Sequence, residues 1–203
     1  QADVMAENIH FERFGETNFS LVWGGEAADV SFPLNGRHNI LNALAAAAVG
    51  ISFGMKVEEV AASLRSVAAP PQRGEVLHFA KGFTVINDSY NSKPAALMSM
   101  VEMLVEGAGK GRKIVVAGEM LELGEDEKEI HRKTGEKIAR SEIDMLIGVR
   151  GLADKMVEGA RAAGFPDAKF AQDSDAAGVT LVEIIKKGDV VLVKGSRGVR
   201  TEK

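Results

Sequence analysis

The chain has 203 residues, of which 45% are hydrophobic and 27% are charged. This is ordinary for a globular protein of one large or two small domains, and it excludes a disordered or fibrous chain. The net charge of −4 and the lack of a basic stripe exclude an electrostatic footprint for DNA or RNA, although a local cation cluster could still bind a small anion. Because there is no cysteine, disulfides, thiolate metal sites and cysteine nucleophiles are excluded as well.

The two ends of the sequence predict a piece of a longer protein, and its composition predicts a cytoplasmic one. The start, Gln1-Ala2-Asp3-Val4-Met5, is neither a signal peptide nor a usual first residue. The end comes soon after an apolar strand pattern, with no closing helix. No run approaches the about 20 apolar residues of a membrane span, and the absence of cysteine is compatible with the cytosol.

The first 70 residues predict a β-hairpin followed by helices. Weak alternation and the pair Gly24-Gly25 indicate the hairpin. A run rich in alanine and leucine, which are strong helix formers, follows the turn at Asn35-Gly36. The predicted elements are strands at 19–23 and 30–34 and helices at 37–49 and 57–66.

The pair Pro70-Pro71 predicts a domain boundary, because two prolines cannot continue a helix and stiffen the chain. Beyond it, helices alternate with short β-branched runs, which indicates βαβ units. The fold class is therefore α/β, with a Rossmann-like, mainly parallel sheet and flanking helices. The predicted strands are 75–79, 83–86, 113–117, 144–149, 168–170 and 189–194, and the predicted helices are 94–106, 126–140, 151–163 and 174–187.

A polar stretch, I-N-D-S-Y-N-S-K-P, runs from Ile86 to Pro94 and joins a strand pattern to a helix pattern. Open α/β sheets bind ligands at such positions, where strands end and helices begin. The alternative is an ordinary turn, with Asn91 or Ser92 as the helix cap and Asp88 in an Asx-turn. Both interpretations stay open at this point, because turns and sites use the same residue types.

A second pattern lies at the start of the first helix. Asn39 and Asn42 are three residues apart, so they share a helix face beside His38. An amide both donates and accepts hydrogen bonds, as the N6/N7 edge of adenine requires. Capping would explain Asn39 but explains Asn42 poorly, because asparagine is a weak helix former. The pair therefore favours a functional role.

Further candidates follow two other strands. The loop K-G-S-R-G at 194–198 combines cations, a hydroxyl and glycines, which suits an anion. Arg73, beside the boundary, could hold a phosphate bidentately. The carboxylates of the loop G-E-M-L-E-L-G at 118–124 could orient an ammonium group or a metal, or could simply be solvated, and His131 is most simply a helix residue. No Walker loop is present, and no G-x-G-x-x-G follows a strand.

Four strings, in this order, resemble the Mur ligase family. They are G-R-H-N-I-L-N-A-L-A-A-A at 36–47, I-N-D-S-Y-N-S-K-P at 86–94, G-E-M-L-E-L-G at 118–124 with His131, and V-L-V-K-G-S-R-G-V-R-T-E at 191–202. The second and fourth favour a member that adds a dipeptide over those that add single amino acids. The sequence departs from the family at Ser92-Lys93, where Ala-Asn is usual, and at Glu119, where Asp is frequent.

The resemblance implies that residues 1–70 are the end of an α/β ATP-binding domain and residues 71–203 a Rossmann-like carboxyl-terminal ligase domain. It implies an ATP-dependent reaction that joins D-alanyl-D-alanine to UDP-N-acetylmuramoyl-tripeptide through an acyl phosphate, in peptidoglycan precursor synthesis. The family's P-loop, carbamylated lysine and Mg²⁺ ligands belong to segments that precede this sequence. The chain alone is therefore expected to be inactive.

The resemblance also implies site residues. Arg73, which would reach the terminal phosphates, and Lys194 are expected to act in catalysis. The residues expected to bind ATP are His38, Asn39 and Asn42 at the adenine, Arg73 at the phosphates, and Asp88 at the ribose with Tyr90 and Asn91 nearby. The residues expected to hold the peptide are Lys194, Ser196 and Arg197. These positions lie on both sides of the predicted boundary, so domain closure is expected to complete the ATP site.

Other functions remain open. The chain could belong to a ligase of the wider family that adds a single amino acid, or glutamate to a folate. It could also be a non-catalytic Rossmann-like module that senses a nucleotide or a peptide. A dehydrogenase is disfavoured, because the glycine fingerprint for a dinucleotide is missing.

Overall fold

The computed structural model describes residues 3–202, with the backbone alone at residues 12 and 13. The chain divides into two compact units, Gln1–Pro70 and Pro71–Lys203, and the division falls at the proline pair. Among the described residues, no helix is both long and apolar enough to cross a membrane.

The described part of the first unit packs helices on an antiparallel sheet. Its strands are β1 (Val4–Arg13), β2 (Glu16–Trp23) and β3 (Glu26–Phe32), in that order, and its helices are α1 (Arg37–Ser52) and α2 (Val57–Arg65). Alternate side chains of the strands point to one face, which is the face that packs on the helices. The buried core consists of Phe19, Leu21, Val30, Phe32, Ala43, Ala47, Val57, Val60, Ala61 and Leu64.

The hairpin predicted at Gly24-Gly25 is confirmed, since both glycines have positive φ and Trp23 pairs with Glu26. The helices predicted after it are confirmed as well. Strand β1 was not predicted. It is polar over much of its length, and its register against β2 shifts between Glu7 and His10, so its alternation is interrupted. Pairing with β2, and not a local pattern, makes this segment a strand.

The second unit is a six-stranded α/β sheet in the described residues, with the order β4-β5-β9-β6-β7-β8. Strand β4 pairs with β5 antiparallel, whereas the pairings from β5 to β8 are parallel. The predicted mainly parallel sheet is therefore confirmed. The strands are β4 (Glu75–His78), β5 (Thr84–Asp88), β6 (Lys113–Gly118), β7 (Met145–Val149), β8 (Ala168–Ala171) and β9 (Val190–Lys194), and the helices are α3 (Pro94–Gly107), α4 (Glu127–Ala139), α5 (Ala153–Ala162) and α6 (Ser174–Ile184).

Both faces of this sheet carry helices. Helix α6 covers one face, where Ala177, Leu181 and Ile184 pack on apolar side chains of β6, β7 and β9. The alternate residues point to the other face, where Gly148 of β7 lies against α5. Burial on both faces explains why the central strands read as continuous apolar runs and not as alternating ones.

The parallel strands β5, β9, β6 and β7 all end at one side of the sheet, here called the carboxyl edge. In the register, Asp88 at the end of β5 pairs with Lys194 at the end of β9, and Lys194 pairs in turn with Ala117 of β6. The loops that follow these three strands are therefore neighbours, although they lie far apart in the sequence. Open α/β sheets bind their ligands at this edge.

Candidate functional site

Asp88 and Lys194 form an ion pair at the carboxyl edge. The Lys194 Nζ lies 2.7 Å from the Asp88 Oδ2, and the two side chains are 4% and 16% exposed, respectively. The same ammonium group donates to the carbonyl oxygen of Asn91 at 2.5 Å and lies 3.5 Å from that of Asp88. Lys194 therefore anchors the loop that follows β5, while the Asp88 carboxylate stays partly open to solvent.

Two guanidinium groups lie over the ring of Tyr90. The Cζ atom of Arg73 is 3.8 Å from the ring centroid, and that of Arg197 is 4.4 Å from it. Both distances are within the range of a cation–π interaction. We call Arg73, Tyr90 and Arg197 the arginine–tyrosine cluster. Within the described residues, neither arginine side chain has a hydrogen bond or an ion pair, so their N–H groups are available to a ligand.

A strained turn presents Arg73 to this cluster. Gln72 has a φ of 62° and Gly74 a φ of 73°, so the chain bends sharply on either side of Arg73. A left-handed backbone costs a non-glycine residue about 1–2 kcal/mol. The Tyr90 backbone N–H donates to the Gln72 carbonyl at 3.2 Å, which helps to hold the turn.

His131 holds the loop at 118–124 to helix α4, on which it lies fully buried. Its Nε2 is 2.9 Å from the Met120 backbone nitrogen, and its Nδ1 is 2.7 Å from the Glu127 carbonyl oxygen. A backbone N–H can only donate, so Nε2 accepts and the ring proton lies on Nδ1, which donates to Glu127. The prediction of a helix residue is confirmed, and the contacts add a structural role.

The carboxylates of this loop have different environments. The Glu119 Oε1 accepts from the Leu152 N–H at 2.9 Å, and a Cβ atom on Gly151 would lie 2.2 Å from that oxygen. Glu119 therefore closes the turn before α5. The Glu122 side chain is 90% exposed, as expected for a solvated charge, and Lys93 donates to its carbonyl oxygen at 3.1 Å.

The predicted cap of helix α3 is wrong. The N-cap residue is Lys93, without a side-chain cap, and Pro94 occupies the first turn, where its missing N–H costs nothing. Asn91 instead contributes its carbonyl oxygen to Lys194. Ser92 is buried, and its Oγ has no hydrogen-bond partner among the described residues.

The predicted peptide-binding residues differ in exposure. Lys194 and Ser196 are buried, and the Ser196 Oγ lies 3.5 Å from the Glu119 carbonyl oxygen. Arg197 is exposed and reaches Tyr90. The loop is further held by Arg150, which follows β7 and donates to the Gly198 carbonyl. Sequence reasoning did not single out Arg150, although an arginine directly after an apolar strand is a usable signal.

The candidates in the first unit lie at the start of helix α1. Its N-cap is Gly36, with a φ of 93°, and a Cβ atom there would lie 2.7 Å from the His38 ring. The Asn39 side chain donates to the Asn35 carbonyl at 2.8 Å and so ties the helix to the preceding turn. His38 and Asn42 are exposed. The first unit therefore has exposed polar side chains in the first turns of α1.

The second unit brings together six of the candidates: Arg73, Asp88, Tyr90, Asn91, Lys194 and Arg197. They provide exposed guanidinium groups and a partly open carboxylate at the carboxyl edge. No group of three or more metal-ligating side chains occurs among residues 3–202. The fold and these loops define a Rossmann-like α/β domain with a cluster of cationic side chains at the strand ends.

The family described as "Mur ligase, glutamate ligase domain" matches residues 72–197, and the chain belongs to it. A relative from Escherichia coli (strain K12), UDP-N-acetylmuramoyl-tripeptide--D-alanyl-D-alanine ligase, is 34% identical over 99% of the chain and 43% of its own length. A crystal structure of MurF from Acinetobacter baumannii superposes with a TM-score of 0.89 and 27% identity, over 99% of this chain and 44% of that one. The chain thus spans less than half the length of these proteins.

A further similar structure is a complex with a nucleotide. The MurF ligase from Thermotoga maritima in complex with ADP has a TM-score of 0.82 and 26% identity, over 100% of this chain and 45% of that one. The family expected from the four sequence strings is therefore confirmed.

Proposed function

We propose that the chain is the carboxyl-terminal part of an ATP-dependent ligase that joins D-alanyl-D-alanine to a UDP-N-acetylmuramoyl-tripeptide. The observation that carries the proposal is the cation set at the carboxyl edge, where two guanidinium groups with free N–H donors stand beside the Asp88–Lys194 pair. The names of the relatives supply the choice of substrates. The reaction belongs to peptidoglycan precursor synthesis in the cytoplasm.

The chemistry explains why such cations are needed. A carboxylate resists attack by an amine, and ATP supplies the activation as an acyl phosphate. Phosphoryl transfer and departure of phosphate both concentrate negative charge, so the protein must hold the reactants together and neutralise that charge. Arg73 would contact the terminal phosphates, since a guanidinium group can bind phosphate oxygens with two parallel hydrogen bonds.

The Asp88 carboxylate suits a ribose. Lys194 contacts its Oδ2, and the side chain remains 16% exposed, so its other oxygen can accept a hydrogen bond from a ribose hydroxyl group. Tyr90 and Asn91 follow in the same loop. Lys194 would hold the loop after β5 in place and would add positive charge to the site. In the loop after β9, Arg197 would contact the peptide and Ser196 would support the loop.

The first unit would contribute to nucleotide binding through the start of α1, where His38, Asn39 and Asn42 would face the adenine. Asn42 is exposed, and its amide can both donate and accept. The Mg²⁺ ligands and the P-loop would come from segments that the relatives carry beyond the part matched here. On this proposal the 203-residue chain alone does not turn over ATP.

The proposal is tested with Asp88→Ala in the full-length ligase that contains this chain. We expect ATP use to weaken by about 1–3 kcal/mol, the range for losing a hydrogen bond to a charged group. The measurement is phosphate release that depends on D-alanyl-D-alanine and the tripeptide substrate, with circular dichroism as a check of folding. Asp167→Ala is the matched control, because Asp167 is an exposed carboxylate at the opposite end of the strands.

The two variants separate the outcomes. An unchanged KM for ATP and an unchanged kcat in Asp88→Ala would remove Asp88 from the site. Asp88→Asn, which keeps the shape, guards against a loss that comes only from leaving Lys194 without its partner. A full-length protein that accepts a single amino acid such as glutamate, but not the dipeptide, would assign it to another ligase of the same family.

A further inference from the structure

We propose that Tyr90 is a positioning residue whose ring holds Arg73 and Arg197 so that the two guanidinium groups bind two anionic groups at once. One group would be a phosphate and the other the carboxylate of the incoming peptide. The proposal rests on the function proposed above, and it adds a role for the aromatic ring itself. Tyr90 would act through the arginines and would not bind the nucleotide directly.

The first argument is geometric. Arg73 comes from the segment before β4, Tyr90 from the loop after β5, and Arg197 from the loop after β9. Both Cζ atoms nevertheless lie within 4.4 Å of the same ring centroid. Two segments that flank the β4–β5 hairpin and a third from more than 100 residues further along the chain therefore converge on one aromatic side chain at the carboxyl edge.

The second argument is electrostatic. Two exposed cations over one ring repel each other, and the negative face of the ring only partly offsets this repulsion. A guanidinium group that rests its flat face on a ring keeps its N–H edge free. Neither arginine donates to any group among the described residues, so both edges can bind an anion bidentately. Bound anions would reduce the electrostatic repulsion between the two guanidinium groups.

The third argument is that both arginines are anchored to the loop that carries Tyr90. On one side, the Gln72 carbonyl accepts from the Tyr90 N–H at 3.2 Å, next to Arg73. On the other side, Lys194, three residues before Arg197, donates to the Asn91 carbonyl, next to Tyr90. These backbone contacts hold the loop that carries Tyr90 to the segments that carry both arginines. Loss of the ring should therefore change the positions of both guanidinium groups.

The composition offers a direct experiment, because Tyr90 is the single tyrosine of the chain. Incorporation of 3-fluorotyrosine would give one ¹⁹F resonance that reports on the cluster. We expect sodium pyrophosphate to move this resonance saturably, at constant ionic strength held with sodium chloride. Arg73→Ala and Arg197→Ala should each change the starting position of the resonance and weaken the response about tenfold, as for loss of a charged hydrogen bond.

Arg140→Ala is the matched control for charge, since Arg140 is an exposed arginine that ends helix α4. It should behave like the unchanged chain. A resonance that does not move with pyrophosphate, or that responds equally weakly in Arg140→Ala, would overturn the proposal.

The second experiment is kinetic and uses the full-length ligase. Tyr90→Phe keeps the ring and should leave both KM values within about twofold, whereas Tyr90→Leu removes the ring and should raise the KM for ATP and the KM for the dipeptide about tenfold each. A larger effect in Tyr90→Phe than expected would indicate a direct role of the hydroxyl group and would overturn the positioning role. No change in Tyr90→Leu would also overturn it.

The two experiments fail differently. If the full-length protein shows no activity that depends on the dipeptide, the proposed function fails, while the ¹⁹F titration still tests whether the cluster binds phosphate groups. If Asp88→Ala impairs the enzyme but Tyr90→Leu does not, the proposed function stands and the role of Tyr90 falls.

Discussion

His131 is fully buried, yet both of its ring nitrogens take part in hydrogen bonds with backbone groups. One bond is to Met120 in the loop after β6, and the other is to Glu127 in the first turn of α4. A buried polar group that loses its partner keeps the full cost of its desolvation. His131 therefore stabilises the conformation of the loop after β6, whether or not it takes part in any chemistry of the site.

We expect His131→Phe to lower the free energy of unfolding by about 1–3 kcal/mol, because the buried Met120 N–H loses its acceptor. Urea denaturation followed by circular dichroism would measure the change. His10→Phe is the comparison, since His10 is exposed on β1 and should alter stability by no more than about 0.5 kcal/mol. Equal effects of the two substitutions would contradict the role of His131.

At the scale of elements, helices α4 and α5 approach each other through glycine. A Cβ atom on Gly135 would lie 1.8 Å from the Met156 carbonyl oxygen, and one on Gly159 would lie 2.0 Å from that of Arg132. Each glycine thus faces the backbone of the other helix, and neither position has room for a methyl group. The glycines lower intrinsic helix propensity, but they permit the close packing of the pair.

Gly159→Ala should therefore destabilise the second unit by about 1–3 kcal/mol, because overpacking forces the helix backbones apart. Gly178→Ala in α6 is the matched control. A Cβ atom at Gly178 meets nothing within 4 Å, so alanine should raise stability by up to about 1 kcal/mol through helix propensity. Thermal unfolding of both variants would test the opposite signs, and a stabilising Gly159→Ala would contradict the packing argument.

A partly buried ion pair joins the residue before β6, Arg112, to the residue before β9, Asp189. Arg112 donates to both carboxylate oxygens of Asp189, at 2.9 Å and 2.6 Å, and also to the Ile184 carbonyl at 2.8 Å. Burial alone would raise the pKa of Asp189, but hydrogen bonds from Arg112 and from the Lys186 N–H, together with their charges, hold that pKa below its usual range. Asp189 is thus more acidic in the folded state than in the unfolded one.

The sign of the pH effect follows from that shift. The contribution of Asp189 to stability is fully present above its unfolded pKa of about 3.9, and it is lost as the pH falls through the lower folded pKa. The gap in unfolding free energy between the unchanged chain and Asp189→Asn should be constant from about pH 5 to pH 7 and should shrink below about pH 4. A gap that is independent of pH in urea titrations would contradict the shift.

At the scale of the whole molecule, each unit has its own hydrophobic core. The chain also has one tryptophan and one tyrosine, and these lie in different units, Trp23 on β2 and Tyr90 after β5. Trp23 fluorescence and the ¹⁹F signal of a fluorinated Tyr90 therefore follow the two units separately. This arrangement allows the stability of each unit to be measured in the intact chain.

We expect the two probes to report different unfolding midpoints in urea, with the lower one for Trp23. The first unit is the smaller, and small domains bury a smaller fraction of their surface on folding. Coincident transitions for both probes would show instead that the chain unfolds as one cooperative body.

Local patterns were sufficient for most elements. The helices and the strands of the second unit were predicted to within a few residues, because short β-branched runs, helix formers and paired prolines act locally. Strand β1 escaped prediction, since pairing and not composition decides it. The cap of α3 was also misassigned, because turn residues such as Asn91 and Ser92 suit several roles equally well.

The sequence by itself determined the α/β class, the proline boundary and the family, since these depend on periodicity and on the order of short strings. Only the tertiary structure decided which candidate side chains meet. The strand order β5-β9-β6 brings Lys194 to Asp88, 106 residues away, and it brings Arg197 to the ring of Tyr90. Strand order is a long-range property, set by how the whole sheet packs, and no local pattern encodes it.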